Sequence, residues 1–327
     1  MADDNRDRRA VALRIGFGAV ALVLLFHFVD LREVIAALRS AAPAGLIAAA
    51  ALNFATRYAA AARSYSLSRG AKLPVTLLQS LQALFIANFW GLALPGVSAG
   101  SVATVLRYRS YGAGMAQSIA VLGASRAVEL AAFCLLALVG LAASTNVAGG
   151  MRPWAAAVLL GGVLACAGLI ALLRRRGPWR IAAVSAAADV TATTRLLHKA
   201  RNALASLLEL LRTLPAGALR QASAWALLQA LLDAVTVLVL AMALDLPIGL
   251  PQALWINALS YLAILLPLSV AGLGMREAAV LAALLPLGIS RGDALALALL
   301  MLAMTLLNAL AGAAVQLTIR SGVRQSA

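Results

Sequence analysis

The chain has 327 residues, of which 63% are hydrophobic and 12% charged, and its formal net charge is +15. A soluble domain is roughly 45–50% apolar and about 25% charged, so this composition excludes an ordinary water-soluble fold. The basic residues lie between apolar runs without an interleaved aromatic stripe, which argues against nucleic-acid binding and favours contact with anionic lipid headgroups.

Several apolar runs approach the roughly 20 residues that a helix needs to cross a bilayer. In chain order they are Val11–Val29, Ala44–Ala62, Val75–Leu94, Met115–Ala142, Trp154–Leu173, Leu219–Leu244, Pro251–Pro267 and Ala294–Ile319. Two further runs, Val97–Leu106 and Ala278–Leu287, have about half that length and predict half-helices or re-entrant segments. The sequence therefore predicts an all-α polytopic bundle, with about 8 long spans plus 2 short segments in one transmembrane domain over residues 1–327.

Positive charges between the runs orient them, because basic loops stay in the cytoplasm. The basic stretches are the N-terminus, Arg63–Lys72, Arg107 with Arg109, the 174–212 segment and the tail after Ile319. Both termini are therefore expected in the cytoplasm of a bacterial inner membrane. Residues 174–212 are too polar to span; they predict either a cytoplasmic amphipathic connector between two halves or an ordinary solvated linker helix.

The same pattern, L-P-x-x-x-A-G, occurs at Leu94–Gly100 and again at Leu266–Gly272. Each copy follows a long run and precedes a short one, which a glycine closes at Gly112 or Gly288. The charge pattern puts the two copies at opposite membrane faces, which predicts an inverted repeat of the kind that many transporters use. The positions expected to break the helices or shape the breaks are Pro95, Gly96 and Gly100 in the first copy and Pro267, Ser269, Gly272 and Gly274 in the second.

A charge near the bilayer centre is costly, so each one there needs a partner or a function. Arg126 and Glu129 share one helix face at i, i+3 spacing and predict either a structural ion pair or a pair lining a cavity. Asp233 has no local partner and requires a cation from another helix. Arg57, near the end of its run, either extends towards the interface or contacts a lipid headgroup.

Arg107 and Arg276 accompany the two short runs. Arg107 is either a topology signal or a headgroup contact. Glu277 in a first helical turn favours the helix dipole, whereas Arg276 beside it opposes that dipole, a conflict that a bound anion would resolve. The predicted headgroup-binding residues are thus Arg57, Arg107, Arg126 and Arg276, and the predicted supporting acids are Glu129, Asp233 and Glu277.

The sequence offers no set of residues typical of catalysis. It contains only two histidines, no metal-binding H-E-x-x-H pattern and no phosphate-binding glycine loop. We therefore expect a protein that is not an enzyme and that uses no cofactor or metal.

The stretch Asn88–Gly96, followed by Gly100 and Arg107, resembles the flippase-like family of the lysylphosphatidylglycerol synthase transmembrane region. The stretch Leu266–Glu277 resembles that family's second signature, L-P-x-S-x-x-G-x-G-x-R-E, and Arg126 matches a family arginine. The chain departs from the family pattern at Ser101, Ala103 and near Met301, and we expect it to lack the soluble aminoacyltransferase domain of the full synthase.

The resemblance implies a membrane protein that moves or accommodates a lipid, and synthase activity is not implied. The expected function is a lipid flippase or transporter for an anionic or modified membrane lipid. The alternative is a non-transporting scaffold that supplies lipid to a partner enzyme of a phospholipid, glycolipid or hopanoid pathway. The expected partners are a membrane lipid and a lipid-modifying enzyme, and a homo-oligomer is compatible with the sequence.

Overall fold

The computed structural model describes residues 41–93, 99–144, 213–265 and 275–322, with isolated positions 39, 157, 160 and 161. Within these ranges the chain forms α-helices and one 3-10 turn, Leu285–Leu287, and no strand, which confirms the all-α prediction. The helices are α1 Pro43–Gly70, α2 Leu77–Ala93, α3 Ala99–Ser110, α4 Met115–Ala143, α5 Ala216–Ala243, α6 Leu250–Leu265, α7 Met275–Leu284 and α8 Arg291–Gly322.

Three of these helices, α4, α5 and α8, are long and apolar enough to cross a membrane. The apolar helices α2 and α6 are shorter, with 17 and 16 residues. Val11–Val29, most of Trp154–Leu173 and the 174–212 connector lie outside the described residues. The chain is therefore a helical membrane protein, whereas the number of full spans stays a prediction.

The prediction of a loop at Arg63–Lys72 is wrong for most of that stretch, because α1 continues as a helix to Gly70. Arg63 lies inside that helix and is only 3% exposed. The apolar pattern ends at Ala62, but the helix does not, because the following residues keep good helix propensity and Arg63 finds buried partners on other helices. Arg63 thus marks a contact between helices and not a loop.

The two short helices end in the same way, at the two glycines that the sequence singles out. Gly112 and Gly288 both have positive φ, at 91° and 79°, a conformation that glycine adopts without steric cost. After α3 the amide of Ala113 donates to the carbonyl of Tyr108, and after α7 the amide of Ile289 donates to that of Leu284. These are the bonds of a Schellman-type helix end, and they confirm that a glycine closes each short run.

Helices α1 and α5 pack against each other in opposite directions. A Cβ added to Gly45 would lie 2.6 Å from Cβ of Ala243, and one added to Gly70 would lie 2.7 Å from Cβ of Ala218. The amide of Ala42 also donates to the carbonyl of Ala243 at 2.9 Å. Small residues at both ends therefore let the two backbones approach closely, as in many membrane helix pairs.

The remaining helices surround this pair in two matching sets. α5 begins and ends 173 residues after α1, and α6 begins 173 residues after α2. In the first set α2 packs on α1, α3 and α8, and in the second α6 packs on α5, α7 and α4. A glycine allows close approach in the α2–α8 pair and in the α6–α4 pair. Gly312 of α8 lies against the carbonyl of Phe85, and a Cβ on Gly140 of α4 would lie 2.5 Å from the carbonyl oxygen of Pro251.

One end of the bundle carries a concentration of positive charge. The end of α1, the end of α3 and the start of α5 meet there, where Leu73, Tyr108 and Leu214 share one apolar cluster. We call this the basic end; its charged residues are Arg69, Lys72, Arg107, Arg109 and Arg220. It matches the side that the sequence predicts to be cytoplasmic.

The contact at Gly312 yields a stability prediction. Gly312→Ala should lower the melting temperature in detergent, because the added methyl group would overlap the carbonyl oxygen of Phe85 and force α8 away from α2. Overpacking of this kind typically costs about 1–3 kcal/mol. Gly217→Ala is the matched control, since nothing lies within 4 Å of its added Cβ. Equal melting temperatures for the two variants would contradict the close α2–α8 contact.

Candidate functional site

A central cavity lies between the two sets of helices and consists of two lobes of about 230 and 260 Å³. The lobes share their middle wall, so they form one continuous space. The shared residues come from α1, α2, α4, α6, α7 and α8, and they are Arg57, Asn88, Arg126, Glu129, Ile264, Arg276 and Thr305. The cavity thus lies where both halves of the chain contribute polar groups.

A buried carboxylate organises the first lobe. Glu129 is 3% exposed, and its Oε2 lies 3.2 Å from Nη2 of Arg63 and 2.8 Å from Nη1 of Arg126. Its Oε1 accepts a hydrogen bond of 2.9 Å from the amide of Gln229. Arg63 also donates to Ser125 at 3.0 Å and to Gln229. The contacts of Glu129 and Arg63 link α1, α4 and α5, so these two buried charges are fully satisfied only when the three helices have packed.

The two arginines that share Glu129 differ in exposure. The side chain of Arg63 is 3% exposed, whereas that of Arg126 is 49% exposed and lines both lobes. Arg126 and Glu129 therefore form the i, i+3 pair that the sequence predicts, but Arg63 is the more deeply buried partner. Arg126 retains donor capacity towards the cavity because a guanidinium has five N–H groups.

Asp233 pairs with an arginine from another helix, as its position in the sequence requires. Nη2 of Arg57 lies 3.2 Å from Oδ1 of Asp233, and both side chains are less than one-fifth exposed. The Nε of Arg57 is buried and has no hydrogen-bond partner among the described residues. Arg57 thus donates from Nη2 to Asp233, and its Nε remains as a donor beside the polar cavity that Arg57 lines.

Arg276 differs from the other cavity arginines in its protein contacts. Its Nη1 donates to the Thr305 hydroxyl at 2.9 Å and to the carbonyl of Met301 at 3.4 Å. No carboxylate of the described residues lies within 4 Å of it as an ion-pair partner. Arg276 is the second residue of α7, where the helix dipole already favours an anion. The helix dipole and the guanidinium group both attract negative charge, and Glu277 in the same turn supplies part of it.

The cavity carries an excess of positive charge. Among the residues that the structure describes, four arginines line the two lobes, at positions 57, 63, 126 and 276, together with two carboxylates, Glu129 and Asp233. The formal charge of this described lining is therefore +2. Both carboxylates already accept from arginine, so the surplus falls on the guanidinium groups.

Other predicted positions lie elsewhere. Arg107 does not line the central cavity; it lies at a separate groove on the outer side of α3. Glu277 lies in the first turn of α7. Gly100 is the second residue of α3, in the turn that follows residues 94–98, and a Cβ there would come 2.7 Å from the carbonyl oxygen of Ala87. Pro95, Gly96, Pro267, Ser269, Gly272 and Gly274 lie outside the described residues.

The structure adds polar residues that the sequence analysis missed. Besides Arg63 and Gln229, Asn53 and Asn308 form a reciprocal pair of amide hydrogen bonds at 3.1 and 3.0 Å in the wall of the second lobe. A signal was present in α1, where polar side chains recur on one helix face at steps of four and seven residues. They are Asn53, Arg57, Ser64 and, next to them, Thr56 and Arg63.

The Glu129 cluster predicts a specific order of stabilities. Glu129→Gln should be strongly destabilising, by about 3–5 kcal/mol, because it leaves the buried Arg63 charge without its counter-ion. Arg126→Gln should cost less, because half of that side chain is already accessible. Thermal unfolding in detergent measures both, and Asp245→Asn, at an exposed turn, is the control.

Replacing Arg63 and Glu129 together by glutamine should recover part of the loss, because no buried charge then lacks a partner. A double variant that is as unstable as the sum of the single variants would show that the two residues do not form a coupled pair.

Comparison with known proteins assigns the chain to one family. No curated protein and no solved structure matches the chain. The family described as lysylphosphatidylglycerol synthase TM region matches residues 11–312, which includes every described helix except the last turns of α8. The match confirms the resemblance drawn from the two signatures and suggests a role connected with membrane lipid. The chain belongs to the family of the lysylphosphatidylglycerol synthase transmembrane region.

Proposed function

We propose that the chain is a lipid flippase or lipid transporter that binds the phosphate group of an anionic phospholipid in the central cavity. The observation that carries the proposal is the surplus of guanidinium groups in a cavity between two sets of membrane helices. Arginine suits phosphate because its planar fork can donate two parallel hydrogen bonds. Family membership supports a lipid as the source of that phosphate.

The charge distribution favours an anionic headgroup over an aminoacylated one. A lysyl group carries ammonium groups, which would need a carboxylate with free acceptor capacity. The two carboxylates of the cavity are engaged, Glu129 by two arginines and Gln229 and Asp233 by Arg57. Arg276 and Arg126 face the same space with donors that an incoming phosphate could accept.

The paired helix sets support transport over passive binding. The constant spacing between α1 and α5, their antiparallel packing and the matching ends of α3 and α7 are the features expected of an inverted repeat. Such a repeat lets one sequence pattern open a central site first to one leaflet and then to the other. In this proposal α3 and α7 approach the cavity from opposite membrane faces.

The inverted arrangement predicts labelling from opposite sides. In a background with Cys134 and Cys166 replaced by serine, Ser110→Cys should react with an impermeant thiol reagent only from the cytoplasmic side. Gly292→Cys, in the first turn of α8, should react only from the other side. Both residues are exposed in the structure. Labelling of both from one side would contradict the inverted repeat.

The phosphate contact predicts a selective loss of lipid. Arg276→Gln should reduce copurified phosphatidylglycerol by about tenfold, since hydrogen bonds to charged groups contribute about 1.5–3 kcal/mol each. Arg276→Lys should lose less, because it keeps the charge but not the fork. Lipid mass spectrometry in mild detergent gives the readout, and Arg220→Gln, at an exposed position on α5, is the control.

Flipping of fluorescent phosphatidylglycerol and of lysylphosphatidylglycerol in proteoliposomes then tests transport. Retained lipid without flipping would favour the alternative, a scaffold that supplies lipid to an enzyme. Unchanged phosphatidylglycerol in Arg276→Gln, with lowered thermal stability, would mean that Arg276 only fastens α7 to α8 through Thr305.

A further inference from the structure

A groove of about 400 Å³ lies on the outer side of α3, bordered by α2 and the last turns of α8. Its wall is mainly apolar and includes Ile86, Val102 and Leu106. Arg107 lies towards the basic end of the groove, and Trp90, whose indole donates to Gln316 at 2.9 Å, lies towards α8. In the described part of its wall, the groove thus combines an apolar surface with one cation, Arg107.

Helix α3 separates this groove from the central cavity. Gly100, Thr104 and Tyr108 line the cavity, whereas Val102 and Leu106 line the groove and are 53% and 55% exposed. Exposed branched side chains on this face suit contact with hydrocarbon and not with water. The outer face of α3 is therefore a surface for lipid.

Arg107 is held in place by a neighbour that leaves its charge uncompensated. Its Nε donates to the Tyr111 hydroxyl at 3.0 Å, and the guanidinium lies 5.3 Å from the centre of that ring. The Tyr111 hydroxyl in turn donates to Gln82 at 3.2 Å. In the part of the chain that the structure describes, no carboxylate lies within 4 Å of Arg107. The terminal N–H groups of a positioned arginine are thus left for an external acceptor.

We propose that this groove is a second, lateral binding site for an anionic phospholipid of the leaflet at the basic end. Its phosphate would contact Arg107, and one acyl chain would lie along Val102 and Leu106 towards Trp90. The 12 residues of α3 extend for about 18 Å, close to the roughly 15 Å hydrocarbon depth of one leaflet. Charge and length therefore both fit a lipid of that leaflet.

The site does not depend on lipid binding in the central cavity, because no described residue lines both spaces. A lipid in the groove would nevertheless lie only one helix away from that cavity. Arg107 and Arg109 provide a matched pair for testing it: both are in the last turn of α3, but only Arg107 lines the groove.

Tryptophan quenching tests the proposal on the full chain in lipid nanodiscs. Phosphatidylglycerol or phosphatidylcholine brominated in the acyl chains is titrated into unbrominated phosphatidylcholine, and the signal of Trp90 is the difference between the native chain and Trp90→Phe. We expect Trp90 to be quenched with about fivefold preference for phosphatidylglycerol, as expected for one basic residue near the membrane surface. Arg107→Gln should abolish the preference, Arg107→Lys should keep part of it, and Arg109→Gln should keep all of it.

Absence of Trp90 quenching by either lipid would overturn the acyl-chain site, and an unchanged preference in Arg107→Gln would overturn the role of Arg107. Equal losses in Arg107→Gln and Arg109→Gln would also overturn it, because they would indicate a general surface potential. Arg276→Gln should leave Trp90 quenching unchanged, which separates failure at this site from failure of the central-cavity proposal.

Discussion

The buried carboxylate of Glu129 is the constraint on which the rest of the bundle depends. Two guanidinium groups, from α1 and α4, and an amide from α5 converge on its two oxygens. An unpaired charge at this depth is costly, so none of the three helices can be placed independently of the others. Glu129 shares one oxygen between Arg63, which is buried, and Arg126, whose side chain stays half accessible towards the cavity.

This arrangement determines which charges and hydrogen-bond donors face the cavity. Because the described carboxylates in its wall are paired, the space that remains presents donors and positive charge. Arg276 adds to this from the opposite half of the chain, where its protein partners are a hydroxyl and a carbonyl. Such a lining suits an oxyanion such as phosphate, which can accept paired hydrogen bonds from a guanidinium group.

Sequence reasoning gave the helical class, the family and the two glycines that end the short helices, because these depend on local composition and turn chemistry. It also identified Arg126, Glu129 and Asp233 as charges that require partners. It could not identify those partners, since Arg63 and Gln229 meet Glu129 across separations of 66 and 100 residues. Arg63 was assigned to a loop because the apolar run ends before it, and only the packed helices explain why it is buried. Arg107 was grouped with the cavity arginines because sequence proximity to a short run does not reveal which face of that helix a residue occupies.

The glycine contacts between α1 and α5 have a mechanical consequence. Gly45 and Gly70 fix the two helices to each other at points 25 residues apart, a separation of about 37 Å along the axis. Two helices in close contact near both ends move as one unit, because neither can rotate about one contact while the other is kept. In the proposed transport cycle, a change in the shape of the cavity would therefore come from tilting of α2 with α3, and of α6 with α7, against this pair.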